Sequence, residues 1–230
     1  MDEDFAAQVA GVSALADPVR RALYRYVTTQ PEPVSRDQAA LGAALPRHTA
    51  KFHLDRLVEE GLLDTEFRRL SGRRGPGAGR PAKLYRRSEC ELAVSVPPRR
   101  YDLAGRVLAD AVERAAAEGT PIRTAVAESA ARAGRRLAAR PGRSSSTPLA
   151  EAADVLAGQG YEPRDDGGAV VLANCPFSAL AREHAELVCG LNLDLISAFL
   201  TERGYGGIDA VLDPGVGRCC VVLRTSASSR

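Results

Sequence analysis

Four of the five cysteines lie in the last quarter of the chain, at Cys175, Cys189, Cys219 and Cys220. Cysteine thiolates bind zinc and iron–sulfur clusters, and His184 lies between the first two as a further candidate ligand. The chain contains no CxxC pair, and buried cysteines are also common core residues. The spacing therefore leaves three interpretations open: an iron–sulfur cluster, a zinc ion, or inert core thiols.

The predicted secondary structure restricts how these cysteines can meet. A helical pattern runs from about Phe177 to Glu202, with Cys175 at its start, and the doublet Cys219 and Cys220 falls in a predicted strand, RCCVVLR. Adjacent strand residues point to opposite faces of a sheet. We therefore expect only one cysteine of the doublet at a given site.

On one continuous helix, His184 and Cys189 would lie about 140° apart, too far round to share a small site. Glu186, which comes one turn before Cys189, is better placed as its neighbour. Cys175 and His184 could also serve a thiol enzyme, but nine helical residues would separate them by about 13 Å. We therefore predict that the protein is not an enzyme, with a thiol-dependent enzyme as a remote alternative.

A second group with chemical potential is a basic block at residues 66–87, which has eight basic side chains and one acidic one in a chain of net charge +2. Within it, LLDTEFRRL and AKLYRR have strand-like patterns and flank the loop SGRRGPGAGRP, which predicts a hairpin with a long tip. Arg73, Arg74 and Arg80 lie in this tip, where they could contact a polyanion. The alternative is a flexible tether.

The residues before this hairpin have the signals of consecutive helices. Asp17 and Pro18 are typical of a helix start, and this helix is expected to end near Thr29. Ser35 and Gln38 form a predicted capping box for a helix to about Leu45, and another helix runs from Pro46 to Gly61. Two short helices after a longer one predict a helix-turn-helix.

The last of these helices has two different faces. Ala50, Leu54, Leu57 and Val58 form an apolar stripe with His53 at its edge. The first turns and the opposite face would present base-reading side chains to a DNA groove, namely Arg47, His48, Thr49, Lys51, Phe52 and Arg56. The alternative is an ordinary amphipathic helix with a solvated polar face.

The segments ADPVRRALYRYV, RHTAKFHLDRLVEEGLL and GRPAKLYRR together resemble the winged helix-turn-helix of ArsR-like bacterial transcription regulators. The resemblance covers about residues 10–90. It implies that the six helix residues just named face the major groove of double-stranded DNA and that Arg73, Arg74 and Arg80 act from the wing. It also implies a homodimer, which fits two-fold operators. The regulator could be a repressor or an activator.

The remainder of the chain is predicted to contain helices and short strands. Helical patterns run from Tyr101 to about Gly119 and from Pro121 to about Ala139, and either a dimerisation bundle or a solvated connector fits them. We expect an α+β protein with a winged helix-turn-helix at 1–90, a helical connector or dimerisation segment at 91–140 and a linker at 141–147. A small C-terminal α/β-layer sensor domain would follow at 148–225.

The pattern NCPF…H…LVC…CCV resembles the C-terminal domain of SufR-like iron–sulfur regulators, over about residues 170–223. The resemblance implies that Cys175, Cys189 and one of Cys219 and Cys220 hold a cluster that tunes DNA binding. That family has a further cysteine where this chain has TERGYGGID, so a non-cysteine fourth ligand, zinc, or loss of the site remain alternatives.

Composition excludes several other classes of protein. No apolar run is long enough for a membrane span. The acidic start MDEDFAAQV lacks the features of a secretory signal, and an odd number of cysteines favours a reducing compartment, which predicts a cytoplasmic protein. Phosphate-binding glycine loops and HExxH or GxSxG motifs do not occur. The sequence thus predicts a DNA-binding transcription regulator that responds through its C-terminal cysteines, or alternatively through a small organic ligand with structural cysteines.

Overall fold

A computed structural model describes residues 2–69, 81–139 and 147–225, with side chains from residue 5 onward. The chain divides into two compact units, Met1–Val94 and Ser95–Arg230. Both helices and sheets are present, as the sequence predicts. Within the described residues, no helix has the length and apolarity needed to cross a membrane.

In the described part of the N-terminal unit there are four helices, and local capping signals begin the second and third of them. The side chain of Asp17 accepts hydrogen bonds from the backbone N–H groups of Val19 and Arg20, and Ser35 and Gln38 form the predicted capping box. The helices are α1 (Asp2–Ala14), α2 (Pro18–Thr29), α3 (Arg36–Gly42) and α4 (Arg47–Glu59). The third helix ends earlier than expected, and Ala44 in the following turn has a positive φ of 52°.

A three-stranded antiparallel sheet completes this unit. Its strands are β1 (Val34–Ser35), β2 (Leu63–Arg68) and β3 (Ala82–Arg87), in the order β1-β3-β2. Strands β2 and β3 pair from Leu63↔Arg87 to Arg68↔Ala82, so they form the arms of a hairpin. The core beneath includes Leu23, Leu54, Leu57, Leu63 and Tyr85, all nearly inaccessible to solvent.

Over residues 95–139 and 147–225, the C-terminal unit combines five helices with a four-stranded antiparallel sheet of order β4-β5-β7-β6. The helices are α5 (Tyr101–Glu118), α6 (Ile122–Ala138), α7 (Pro148–Ala157), α8 (Ser178–Glu183) and α9 (Ala185–Glu202). The strands are β4 (Pro163–Asp165), β5 (Ala169–Leu172), β6 (Ile208–Leu212) and β7 (Val221–Thr225).

Helices α5 and α6 belong to the core of this unit, which differs from the expected separate segment at 91–140. Val107 of α5 and Ala130 of α6 are buried in one cluster with Leu195 of α9 and Leu223 of β7. These helices join the core because α6 lies very close to α9. A Cβ on Gly134 of α6 would lie only 2.1 Å from the backbone oxygen of Leu195. Small side chains on α6 permit this approach, so the unit boundary falls at Ser95 rather than near residue 148.

The helix expected from Phe177 to Glu202 is interrupted. His184 has φ −131° and ψ 51°, and it separates α8 from α9. The break allows Phe177 and Val188 to be buried together with Ala104 of α5. The separations of about 140° between His184 and Cys189 and of about 13 Å between Cys175 and His184 assumed one continuous helix. Both are therefore wrong.

Candidate functional site

Helix α4 has one buried face and one exposed face. Ala50, Leu54 and Leu57 are completely buried, whereas Phe52 keeps 67% of its surface exposed. Of the predicted DNA-contacting residues on this helix, Thr49 is half-buried and the others are exposed, namely Arg47, His48, Lys51, Phe52 and Arg56. The exposed face therefore carries four groups that can bear positive charge and one aromatic ring.

Two arginines of this face have carboxylate partners. Arg47 pairs with Asp37 of α3, and Arg56 pairs with Glu59 at 3.3 Å and with Glu60. Ion pairs at the surface contribute little to stability because solvent screens them. The two guanidinium groups can therefore exchange these partners for phosphate at small cost.

A polar cluster joins α4 to β3, and the sequence analysis did not identify it. Asp55 accepts hydrogen bonds from Lys83 Nζ at 2.7 Å and from the Tyr85 hydroxyl at 3.1 Å. Partial burial acts to raise the pKa of the Asp55 carboxyl, but the hydrogen bond and charge of Lys83 outweigh it, so the pKa lies below its usual value. Burial, followed by the charge of Asp55, raises the pKa of Tyr85. The cluster fixes α4 relative to the hairpin.

A groove of about 290 Å³ lies beside this cluster, between the start of α3, the first turns of α4 and strand β3. Four basic side chains line it against the two carboxylates of Asp37 and Asp55, namely Arg36, Arg47, Lys51 and Lys83. The excess of positive charge suits a phosphate group. Arg36 and Lys83 thus extend the predicted basic surface.

The arginines predicted for the hairpin tip, Arg73, Arg74 and Arg80, lie outside the described residues. On the described arms, Arg68 pairs with Glu66 at 2.8 Å and Arg86 pairs with Asp64 at 3.3 Å. Phe67 of β2 is 67% exposed. The arms of the hairpin therefore carry both charged and aromatic side chains at the surface.

All four C-terminal cysteines have thiol neighbours in the same cluster. Cys175 precedes α8, Cys189 lies on α9, and Cys219 and Cys220 directly precede β7. The thiol of Cys219 interacts with those of Cys175 and Cys220, and the thiol of Cys220 also interacts with that of Cys189. The doublet precedes β7 instead of lying within it, so the strand geometry assumed for these two residues does not apply. Which of them faces a metal stays a prediction.

Three thiols of this cluster, those of Cys175, Cys189 and Cys219, have raised pKa values and hold their protons tightly. The hydrogen bond with Cys219, together with burial, raises the pKa of the Cys175 thiol, and burial raises that of Cys189. The hydrogen bond with Cys175 acts to lower the pKa of Cys219, but Cys220 and burial raise it to about 11. Metal binding requires thiolates, so these protons would have to be released.

Other candidate ligands do not join the thiols. His184 is exposed, and Glu186 forms an ion pair with Arg123 at 2.6 Å. Among residues 2–69, 81–139 and 147–225, no three or more His, Cys, Asp or Glu side chains are arranged to hold a metal ion. The four thiols are of the chemical type that binds zinc or an iron–sulfur cluster, but their arrangement is not that of a metal site. Metal binding by these cysteines stays a prediction.

Buried and partly buried hydrogen bonds support the segments that carry these thiols, and the sequence analysis did not identify them. Asn192 Nδ2 donates to Cys219 Sγ at 3.2 Å, and the Tyr161 hydroxyl donates to Asn192 Oδ1. Arg99 donates to the side chain of Asn174 and, at 3.2 Å, to the carbonyl of Cys175. These contacts join residues from 27 to 76 positions apart in sequence, so no local pattern could have indicated them.

Comparison with known proteins supports the N-terminal interpretation. Residues 15–66 match the family model of a helix-turn-helix domain. This match confirms the predicted helix-turn-helix and points to a DNA-binding regulator. The similarity of residues 170–223 to iron–sulfur regulators stays a prediction.

The other comparisons carry no functional argument. No curated protein matches the chain. One solved structure, human N-acetylserotonin methyltransferase in complex with SAM, is 18% identical over 59% of this chain and 46% of its own, with a TM-score of 0.25. A TM-score this low does not support a shared fold.

Proposed function

On the premise of an N-terminal helix-turn-helix domain, we propose that the protein is a homodimeric transcription regulator that binds specific sequences in double-stranded DNA. The observation that carries the proposal is the exposed face of α4. Ala50, Leu54 and Leu57 anchor its apolar side in the core, while its polar side is exposed to solvent and can enter a major groove.

The residues of α4 divide into two roles. The first turns, with Arg47, His48, Thr49 and Lys51, contact base edges, because a recognition helix presents its N-terminal turns to the bases. The ring of Phe52 offers apolar contact to a thymine methyl group.

Other basic residues fix the register of the protein on the DNA. Arg56 contacts a phosphate in this proposal, as do Arg36 and Lys83 in the adjoining groove. Arg73, Arg74 and Arg80 contact phosphates or the minor groove from the wing.

A homodimer is supported by an exposed apolar stripe on α1. Phe5, Val9 and Val12 recur at helical spacing and keep 45%, 41% and 47% of their surfaces exposed. A second copy that covers this stripe would remove apolar surface from water. It would also place two recognition helices on a two-fold operator.

We further propose that the four cysteines bind an iron–sulfur cluster, through which the protein senses its effector, with zinc as the alternative metal. Cys175, Cys189, Cys219 and Cys220 would hold it, and a bound group would supply sulfur-ligated redox or Lewis-acid chemistry. The support is the set of pairwise interactions that links the thiols of these four cysteines. A ligand that binds one dimer geometry better than another shifts operator affinity by that difference in affinity.

A thiol-dependent enzyme has less support. A catalytic thiol needs a lowered pKa, whereas burial and the hydrogen bond with Cys219 raise the pKa of Cys175. A small organic effector is the more serious alternative, because the C-terminal unit contains a suitable cleft.

Selection from a randomised pool of DNA duplexes tests the DNA-binding proposal. Wild-type protein should enrich a two-fold related sequence, and Lys51→Ala or Phe52→Ala should change the preferred bases. Arg25→Ala, an exposed arginine on α2, is the matched control and should leave the preference unchanged. Enrichment of no sequence, or an equal effect of the control, would remove α4 from the base contacts.

Purification without oxygen tests the metal proposal separately. A band near ~400 nm with equal iron and sulfide supports a cluster, and stoichiometric zinc supports the zinc alternative. A colourless protein that contains no metal and still binds DNA would exclude both the iron–sulfur cluster and zinc. It would leave the DNA-binding proposal intact.

A further inference from the structure

A cleft of about 250 Å³ in the C-terminal unit combines an apolar floor with guanidinium groups at its rim. It lies between the first turns of α5, the last turns of α6 and the middle of α9. Val107, Leu137 and Leu195 contribute to the floor, and each is at least nine-tenths buried. The floor therefore offers apolar contact to a small ligand body.

The rim carries more positive than negative charge. Arg100, Arg106 and Arg136 line the cleft with one carboxylate, that of Asp102. Asp102 pairs with both Arg100 at 3.2 Å and Arg106 at 2.8 Å. One carboxylate thus pairs with two guanidinium groups, so the rim of the cleft keeps a net positive charge.

Arg136 is the group best placed to receive a ligand. Its side chain is exposed at the mouth of the cleft, and neither an ion pair nor a hydrogen bond occupies it among the described residues. A guanidinium group donates two parallel hydrogen bonds to a carboxylate, and such charge-assisted bonds are stronger than neutral ones.

We propose that this cleft binds a small organic anion, namely a carboxylate on a compact apolar body. Arg136 and Arg106 would hold the carboxylate, and Val107, Leu137 and Leu195 would contact the body. The volume lies below the range of about 300–1,000 Å³ typical of drug-sized ligands. The ligand body is therefore limited to about one ring or one branched chain.

The cleft is linked to the segment that carries Cys175. The backbone N–H of Arg100 donates to the carbonyl of Pro176 at 3.0 Å. The side chain of Arg100 donates to the buried side chain of Gln159 at 2.8 Å. A ligand that moves Arg100 would therefore move the start of the cysteine segment as well. Binding itself requires neither DNA nor a metal at the cysteines.

Titration of the full-length protein with benzoate, followed by calorimetry and saturation-transfer NMR, tests the proposal. Benzoate should bind more tightly than acetate, which lacks the apolar body, and than benzyl alcohol, which lacks the charge. Equal binding of benzyl alcohol would overturn the anionic preference. Absence of benzoate binding at millimolar concentration would overturn the site.

Two neighbouring arginines of α6 provide a matched pair of variants. Arg136→Gln should weaken benzoate binding by about tenfold or more, because it removes a charge-assisted hydrogen bond. Arg135→Gln removes the same charge one position away, outside the cleft, and should leave the affinity unchanged. Both side chains are exposed, so both variants should keep the circular dichroism spectrum of the wild type. Equal weakening by the two variants would show non-specific attraction and overturn the site.

Discussion

Replacing Gly134 with alanine tests whether α6 is part of the core of the C-terminal unit. The new Cβ would lie 2.1 Å from the backbone oxygen of Leu195 and 3.0 Å from the backbone nitrogen of Phe199. Carbon atoms pack favourably at about 3.5–4.0 Å, so α6 and α9 would have to separate by about 1 Å or more. The atoms in the way belong to a helix backbone, which cannot rotate aside as a side chain can.

The expected cost follows from two opposing effects. Overpacking of a core costs about 1–3 kcal/mol, and a clash with backbone falls at the upper end. Alanine is favoured over glycine in a helix by about 1 kcal/mol, which offsets part of this cost. We expect the free energy of unfolding to fall by about 2 kcal/mol, which lowers the melting temperature by roughly 4–8 °C.

Gly105→Ala is the matched control. Gly105 lies in the interior of α5, and a Cβ there would meet no atom within 4 Å. The same substitution should therefore raise the melting temperature by roughly 2–4 °C. Differential scanning calorimetry of the two variants measures both shifts. If Gly134→Ala stabilises the protein as Gly105→Ala does, α6 does not pack against α9 and the single C-terminal core is refuted.

Three further predictions concern the DNA surface and the cysteines. Changing Arg73 and Arg74 together to alanine should weaken binding to all DNA, and each lost phosphate contact should reduce the salt slope by about 0.9; an unchanged slope in a salt titration would exclude the wing. Asp55 has a lowered pKa in the folded protein, so its stabilising effect is present above the unfolded pKa of about 3.9 and is lost as the pH falls further. Asp55→Asn should therefore destabilise the N-terminal unit at neutral pH in urea unfolding, with the difference disappearing in acid, and a difference that is constant with pH would contradict this. Cys220→Ser should lower the iron or zinc content of protein purified without oxygen, whereas Cys90→Ser, an exposed cysteine of the other unit, should not; equal content in both variants would remove Cys220 from the site.

The N-terminal unit could be predicted well because its signals are local. Asp17 and the pair Ser35 and Gln38 cap helices through hydrogen bonds that span two or three residues. The apolar stripe of α4 repeats at the helical period, so its buried face is visible in the sequence alone. These interactions need no distant partner, and the comparison with the helix-turn-helix family agrees with them.

The links between elements could not be predicted in the same way. The hydrogen bond between Asp55 and Lys83 spans 28 residues, and the one between Asn192 and Cys219 spans 27. Each hydrogen bond depends on how a helix packs against a strand or a neighbouring loop. The periodicity of residues along the chain contains no information about that packing. Arg36 and Lys83 therefore became candidate DNA contacts only when the groove was visible.

By itself, the sequence determined which segments carry groups that can do chemistry. These are a helix with a basic outer face, a basic hairpin and a C-terminal region with four cysteines. The tertiary structure alone decided which of them meet. The interruption at His184 separated two helices that the periodicity joined, and the loop before β7 brought both Cys219 and Cys220 to the other thiols. The physical reason is that periodicity reports the average environment of a residue, whereas the meeting of side chains depends on loop conformations and on packing between distant segments.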